Sequence, residues 1–491
     1  MSRLQDATIR RDGPDAPDAP DTMSDSRKSA AFLTVLTALV LEVADSTIVN
    51  TALPAIRDGL GASPAAMQWI VAGYFLTLGS LLLLGGRLGD AFGYSRVFLA
   101  GTTGFVAASV LCGLAQTPGQ LVAARMLQGA AGAVMAPQTM AIVQILYTPL
   151  ERVTKLAYFG VIVGLAAILG PIVGGLLIEW DLFDLGWRLV FLINLPIGLG
   201  AVMVGLFVLP AHDPDKDLRI DPVGALIFAS AFGGLLYSLI TGAENGWSAW
   251  LVLFTVLSIA AIAFGWFRAR SRRLRGRPAI IEPGLFTIGT FRWGVLASFC
   301  FSSAAIGFLL ILSVSLQQGL GLSPLDTALV HIPFSAGVML GIGLLVPRLL
   351  PRIGKTLPLI GGAAMIAGTF LATRTIMHGD AGPTLLFCLA LAGVGMGALS
   401  GPLGPIVVAE VDRANAGTAS ATLRTSQQIG SALGIAVIGA VYFSASGPEA
   451  AARLAGLGLA GYVISAALAA AMASVCCLPS DLFNQDRGDH R

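Results

Sequence analysis

The chain has 491 residues, 55% of them hydrophobic and 12% charged, with a formal net charge of +2. Soluble domains carry about 25% charged residues, so this chain lacks the polar groups to cover a water-exposed surface. That excludes a soluble enzyme, a disordered hub and a disulfide scaffold, and it leaves an all-α polytopic membrane protein, with room for at most about 16–18 spans of roughly 20 apolar residues.

Residues 1–28 are polar, carry Asp-Ala-Pro-Asp-Ala-Pro-Asp at 15–21, and are expected to be a disordered tail. No secretory signal pattern is present, and Met23 is an alternative start. Apolar runs then predict spans near 31–54, 66–86, 96–115, 119–146, 155–178, 188–209, 222–241, 249–267, 293–316, 326–347, 357–376, 384–408, 417–443 and 456–477, fourteen in all. The runs are too long and too little alternating for β-barrel strands.

Lys and Arg set the orientation. With the N-terminus in the cytoplasm, 23 of the 30 basic residues fall in cytoplasmic segments and four (Arg57, Arg188, Arg374, Arg453) outside. The bias supports an even number of spans with both termini inside. The run Arg268–Arg277 directly follows a span, so it reads as a topological anchor and not as a nucleic-acid site. The five cysteines lie in or at the ends of apolar runs, and the four histidines show no metal-ligand spacing. No metal and no cofactor are expected.

An internal repeat is visible. Gly86–Gly93 and Pro347–Gly354 share Arg-Leu and a later Gly, and Gly101 matches Gly362, all at an offset of 261 residues. Each segment follows the second span of its half. Two six-span halves flanking two extra spans account for fourteen, and parallel repeats of this kind are a transporter architecture.

Four features break the apolar pattern. Asp45 and Glu42 lie in the first span on one side of a helix. A charge at that depth costs about 2.5–3.5 kcal/mol, so such residues face a cavity or a partner. A buried carboxylate beside a second one can take up and release a proton; the alternative is a fixed, hydrogen-bonded structural group. Arg125, three residues before Gln128 in the fourth span, needs a counter-charge, and Asp45 or Glu42 is the natural one. The fifth span carries Gly160, Gly164, Gly170, Pro171, Gly174 and Gly175, a pattern for close helix packing with a bend. Gly393, Gly395 and Gly397 lie mid-span without a preceding strand, so they are packing glycines and not a nucleotide loop. No catalytic constellation suggests an enzyme.

Taken together, these segments resemble the major facilitator superfamily, in its fourteen-span drug/proton antiporter branch. Ala44-Asp45-Ser46-Thr47-Ile48-Val49-Asn50-Thr51-Ala52-Leu53-Pro54 resembles the branch's first-span signature, with Ala44 replacing a Leu. Gly86–Arg96 resembles the superfamily's gating loop, with Ala91 where a basic residue is usual; the resemblance assigns gating to Gly89, Asp90, Gly93 and Arg96. Arg125-x2-Gln128-Gly129 is similar to the fourth-span motif linked to proton transfer. Gly164, Gly170, Pro171, Gly174 and Gly175 match the fifth-span antiporter motif, with Ala166 for an upstream Gly. Trp187–Gly198, Gln317–Pro324 and Gln427–Gly439 resemble further signatures, and Arg424 stands where an uncharged polar residue is expected.

The resemblance covers about residues 31–443 and implies a proton-coupled exporter of small hydrophobic or amphipathic compounds in the plasma (inner) membrane. Asp45, Glu42 and Arg125 would couple the proton. Substrate-binding residues are not indicated. The expected division is a tail at 1–28, a six-helix bundle at 29–209, two extra spans and a basic linker at 210–291, a second bundle at 292–478 and a tail at 479–491. The expected partners are a small-molecule substrate, protons and the lipid bilayer, with a monomer as the working unit. Export of one specific metabolite is the alternative, and a non-transporting membrane sensor is a third reading.

Overall fold

The computed structural model describes residues 23–210, 221–277, 279–412, 415–445 and 450–479, and the regular elements among them are helices. The predicted terminal tails and the segment around Lys216 and Arg219 lie outside the described residues, apart from short stretches beside the first and last helices. The first half contains α1 (Asp25–Leu60), α2 (Pro64–Phe92), α3 (Tyr94–Gly113), α4 (Pro118–Leu146), α5 (Pro149–Trp180), α6 (Leu189–Leu192) and α7 (Asn194–Val208). Next come α8 (Pro222–Asn245) and α9 (Ala249–Leu274). The second half contains α10 (Gly289–Val314), α11 (Pro324–Leu340), α12 (Val346–Ile353), α13 (Thr356–Met377), α14 (Pro383–Val408), α15 (Ala416–Ala445) and α16 (Ala450–Cys476).

Among the described residues, thirteen helical stretches are long and apolar enough to cross a membrane. With α5, itself 32 residues long, they match the fourteen predicted spans. The helices overrun the apolar runs because their starts are set by polar caps. Ser63, Thr117, Asp221 and Ser323 each precede a proline and accept a hydrogen bond from a first-turn amide. Proline at the first helical position loses no needed donor, and the cap satisfies one that would otherwise be orphaned.

Two predicted spans are not continuous α-helices. The sixth opens with a 3₁₀ turn (Gly186–Arg188) and runs on through α6 and α7, with Ile193 between them in helical conformation. The tenth is α11, a π-turn at Gly341–Leu345 and α12.

Within the first half, α2 and α3 pack on α4, and α1 packs on α5 and α7. The second half repeats this arrangement, with α11 and α13 on α14, and α10 on α15 and α16. The halves meet along α2 with α15, along α5 with α11, and where α1 meets α10. The repeat offset has a physical counterpart here: Arg57 Nη1 donates to Gln318 Oε1 at 2.6 Å, and these two residues are 261 apart. Positions related by the repeat thus touch each other, as they do at a pseudo-twofold axis.

The extra pair lies outside this arrangement. Helix α8 packs on both α2 and α15, with Ala225, Phe228 and Ile280 forming a small core beside Leu83 and Leu84. Asp221, at the start of α8, receives both Arg268 Nη1 and Nη2 at 2.9 Å and lies 3.6 Å from Arg272, while Arg273 pairs with Glu282. Part of the basic run therefore ties the α8–α9 hairpin together.

Candidate functional site

The centre of the first bundle holds a fully buried ion pair. Arg125 Nη1, on α4, donates to Asp45 Oδ2, on α1, at 2.5 Å, and neither side chain is exposed. Gln128, one turn along α4, accepts from the same Nη1 at 2.6 Å and donates to Asp45 Oδ1 at 2.8 Å. Asn194, the first residue of α7, donates to that oxygen at 2.9 Å. Ser109 of α3 accepts from Gln128 at 2.8 Å and from Asn194 at 3.2 Å. Arg125 Nε donates to the Ile70 carbonyl, and the guanidinium lies 4.2 Å from the centre of the Tyr74 ring and 5.8 Å from that of Phe191.

The carboxylate therefore collects one guanidinium and two amide donors from α4 and α7, with α2 and α3 holding the donors in place. Such a charge pair survives burial only when its remaining hydrogen-bonding capacity is met. Asp45 meets that condition. Arg125 does so less completely, because Nη2 has no protein partner, and neither has the Tyr74 hydroxyl.

Of the predicted coupling residues, Asp45 and Arg125 are brought together, and Glu42 is not in their network. One helical turn away on α1, Glu42 Oε1 pairs at 2.7 Å with Arg424 Nη2 of α15, across the seam between the bundles. Of the two carboxylates offered as counter-charges to Arg125, Asp45 takes that role. Gln128 was legible as Arg125's neighbour. Asn194, Ser109 and Tyr74 were not singled out as site residues, because uncharged polar residues within spans give no signal of their own.

The antiporter-motif residues sit at helix crossings. A side chain at Gly170 or Gly174 would meet α1, at Thr47 Oγ1 and Ile48 Cγ1 respectively. One at Gly175 would meet the α11 backbone at Leu325 Cα and Pro324 O, both 2.9 Å away, so α5 abuts the other bundle there. Pro171 is buried within α5, which continues through it. The surroundings of Gly164 lie outside the described residues. In the loop motif, Gly93 has φ +91°, and a side chain at Gly89 would strike Gln138 and Tyr94. Asp90 accepts a 2.8 Å hydrogen bond from Tyr94. Arg96 is exposed at the start of α3.

Cross-bundle hydrogen bonds gather at the face away from the N-terminus. Besides Arg57–Gln318, Ser313 donates to the Asn50 carbonyl at 2.8 Å and Gln317 to the Thr51 carbonyl at 3.0 Å. These bonds link the two bundles at that face. Nearer the N-terminal face, Arg424 keeps 33% of its side-chain exposure.

Two repeated six-helix bundles meeting about a pseudo-twofold axis, with an ion pair buried at mid-helix depth, define a multi-pass membrane transporter. The chain belongs to the Major Facilitator Superfamily, whose model matches residues 35–221 and 220–435. It is 38% identical over 434 residues to the "Probable actinorhodin transporter" of Streptomyces coelicolor, covering 87% of this chain and 75% of that protein. It is 33% identical over 458 residues to the "Puromycin resistance protein pur8" of Streptomyces alboniger, covering 91% and 89%. Among solved structures, the peptide transporter POT in complex with sulfate superposes with a TM-score of 0.63 at 17% identity, covering 93% of this chain and 95% of that one, a likeness of fold.

Proposed function

We propose that the protein is a proton-coupled antiporter that exports small hydrophobic or amphipathic compounds, antibiotics among them, across the plasma membrane, with both termini in the cytoplasm. The observation that carries this reading is the Asp45–Arg125–Gln128–Asn194 network: a titratable carboxylate sealed inside one bundle and held by donors from α4 and α7. The names of the actinorhodin and puromycin relatives support the export of such compounds.

In this mechanism a proton arriving from outside binds an Asp45 oxygen. The neutral acid no longer balances Arg125, so the guanidinium must find new contacts; Tyr74 and its unpartnered Nη2 give it somewhere to turn. Because α4 and α7 are attached to Asp45 only through these hydrogen bonds, their release shifts helices within the first bundle and biases which face opens. Each conformer must differ in proton affinity for the exchange to be coupled. The membrane potential supplies about 2.3 kcal/mol per charge per 100 mV, comparable to the hydrogen bonds being exchanged. Glu42 is the second carboxylate able to contribute. With the termini in the cytoplasm, the bonds of Arg57 and Gln318 tie the bundles together on the outer side. The bundles are taken as 29–209 and 292–478, and the monomer as the working unit.

The test is transport in proteoliposomes under an imposed pH gradient. The parent should move an uncharged or acidic amphipathic compound against its gradient and stop when a protonophore is added. Transport unaffected by the protonophore would refute proton coupling. Export of one specific metabolite is the second reading, favoured by the single-compound names of these relatives; a panel of unrelated compounds separates the two.

A further inference from the structure

Among the described residues, four charged side chains lie at the depth of the buried pair, and they form two neutral pairs. Asp45–Arg125 is sealed, with both side chains unexposed. In Glu42–Arg424 the Glu42 side chain is 4% exposed and the Arg424 side chain 33%. The charge that this seam offers to an incoming molecule is therefore positive, with the carboxylate beneath it. We propose that Arg424 sets the charge class of the substrate: by covering Glu42 it excludes lipophilic cations and admits uncharged or acidic amphipathic compounds. The inference rests on the export reading and narrows it.

The physics is a comparison of two states of one carboxylate. A lone buried carboxylate in a low-dielectric seam is a strong site for an organic cation, because it regains by pairing what it lost by desolvation. Pairing with an always-charged guanidinium removes that demand. The same guanidinium then repels any cation that approaches. Polar capacity for an uncharged substrate remains at the pair itself: Glu42 Oε2 and the Thr425 hydroxyl beside Arg424 have no protein partner. Hydroxyl or amide donors on a substrate suit Glu42 Oε2, and an acidic group suits Arg424. An aliphatic ammonium or phosphonium suits neither.

The test uses two probes of one shape and opposite charge, tetraphenylphosphonium and tetraphenylborate, binding to the purified full-length protein in lipid nanodiscs. Arg424→Gln should bind tetraphenylphosphonium at least about tenfold more tightly than the parent. Glu42→Gln/Arg424→Gln should return to the parent's affinity, because no carboxylate is left uncovered, and Arg424→Lys should still exclude the cation. If Arg424→Gln binds the cation no better than the parent, or if the double variant keeps the gain, the proposal is wrong. Should Arg424→Gln fail to fold, Glu42→Gln decides: it frees the guanidinium and should bind tetraphenylborate about tenfold more tightly than the parent. Unchanged anion affinity would overturn the assignment. These measurements need no proton gradient. A protein that shows this binding pattern yet moves no compound in proteoliposomes would sink the export reading and leave the charge rule standing.

Discussion

Asp45–Arg125 and Glu42–Arg424 are both carboxylate–guanidinium pairs, and their carboxylates sit three residues apart on α1. The first lies within one bundle, is fully buried, and is enclosed by Gln128, Asn194 and Ser109. The second joins the two bundles, leaves Glu42 Oε2 without a protein partner and keeps Arg424 partly exposed. Burial makes the first pair expensive to break from one side only. Location makes the second sensitive to anything that enters the seam. One site suits storing a proton, the other meeting a substrate.

Removing Arg125 should have the largest effect on stability. Arg125→Ala leaves Asp45 buried and uncompensated, a loss of about 3–5 kcal/mol, whereas Arg424→Ala should cost about 1–3 kcal/mol because its site is partly open. Thermal unfolding of both variants in one detergent checks the order; equal losses would erase the distinction between the pairs. Asn194→Ala, which removes one hydrogen bond to Asp45 and keeps the ion pair, should cost about 1.5–3 kcal/mol and weaken coupling without abolishing it.

The crossings of α5 come next. Gly174→Leu would drive a side chain into Ile48, and Pro171→Ala restores a helix donor. Both should dissipate coupling, with Gly174→Leu the worse. Proton flux into proteoliposomes without substrate is the readout, and a tightly coupled Pro171→Ala would reduce the motif to packing. Asp90→Asn should slow turnover with near-normal affinity.

The smallest effect is expected at the α8–α9 hairpin. Burial alone would push the Asp221 carboxyl up, but the hydrogen bond from Arg268, the Gly224 amide and the charges of Arg268 and Arg272 hold it below the usual carboxylate range. Its contribution to stability is therefore complete above about pH 4, the ordinary carboxylate value, and is lost as pH falls through the lowered one. Asp221→Ala should lower the unfolding temperature modestly at pH 7 and narrow its gap to the parent under strong acid.

Much of this was legible in the sequence, for identifiable reasons. Long apolar runs give the spans. Charges at span depth expose Asp45, Glu42, Arg125 and Arg424. The pairing of Glu42 with Arg424 was hidden because its partners are 382 residues apart and belong to different bundles. Asn194 was hidden for another reason. Its role comes from its place on the sixth span, level with Asp45, which one polar residue in the run Leu192-Ile193-Asn194-Leu195 does not announce.

The central claim is that Asp45 carries the coupled proton. Its most direct measurement is proton release from the purified protein in weakly buffered detergent solution when a compound it exports is added. The parent should release protons on binding, with an amplitude that falls at pH values where the carboxyl is already ionised, while Asp45→Asn binds the compound and releases none. Undiminished proton release from a folded Asp45→Asn variant would contradict the account.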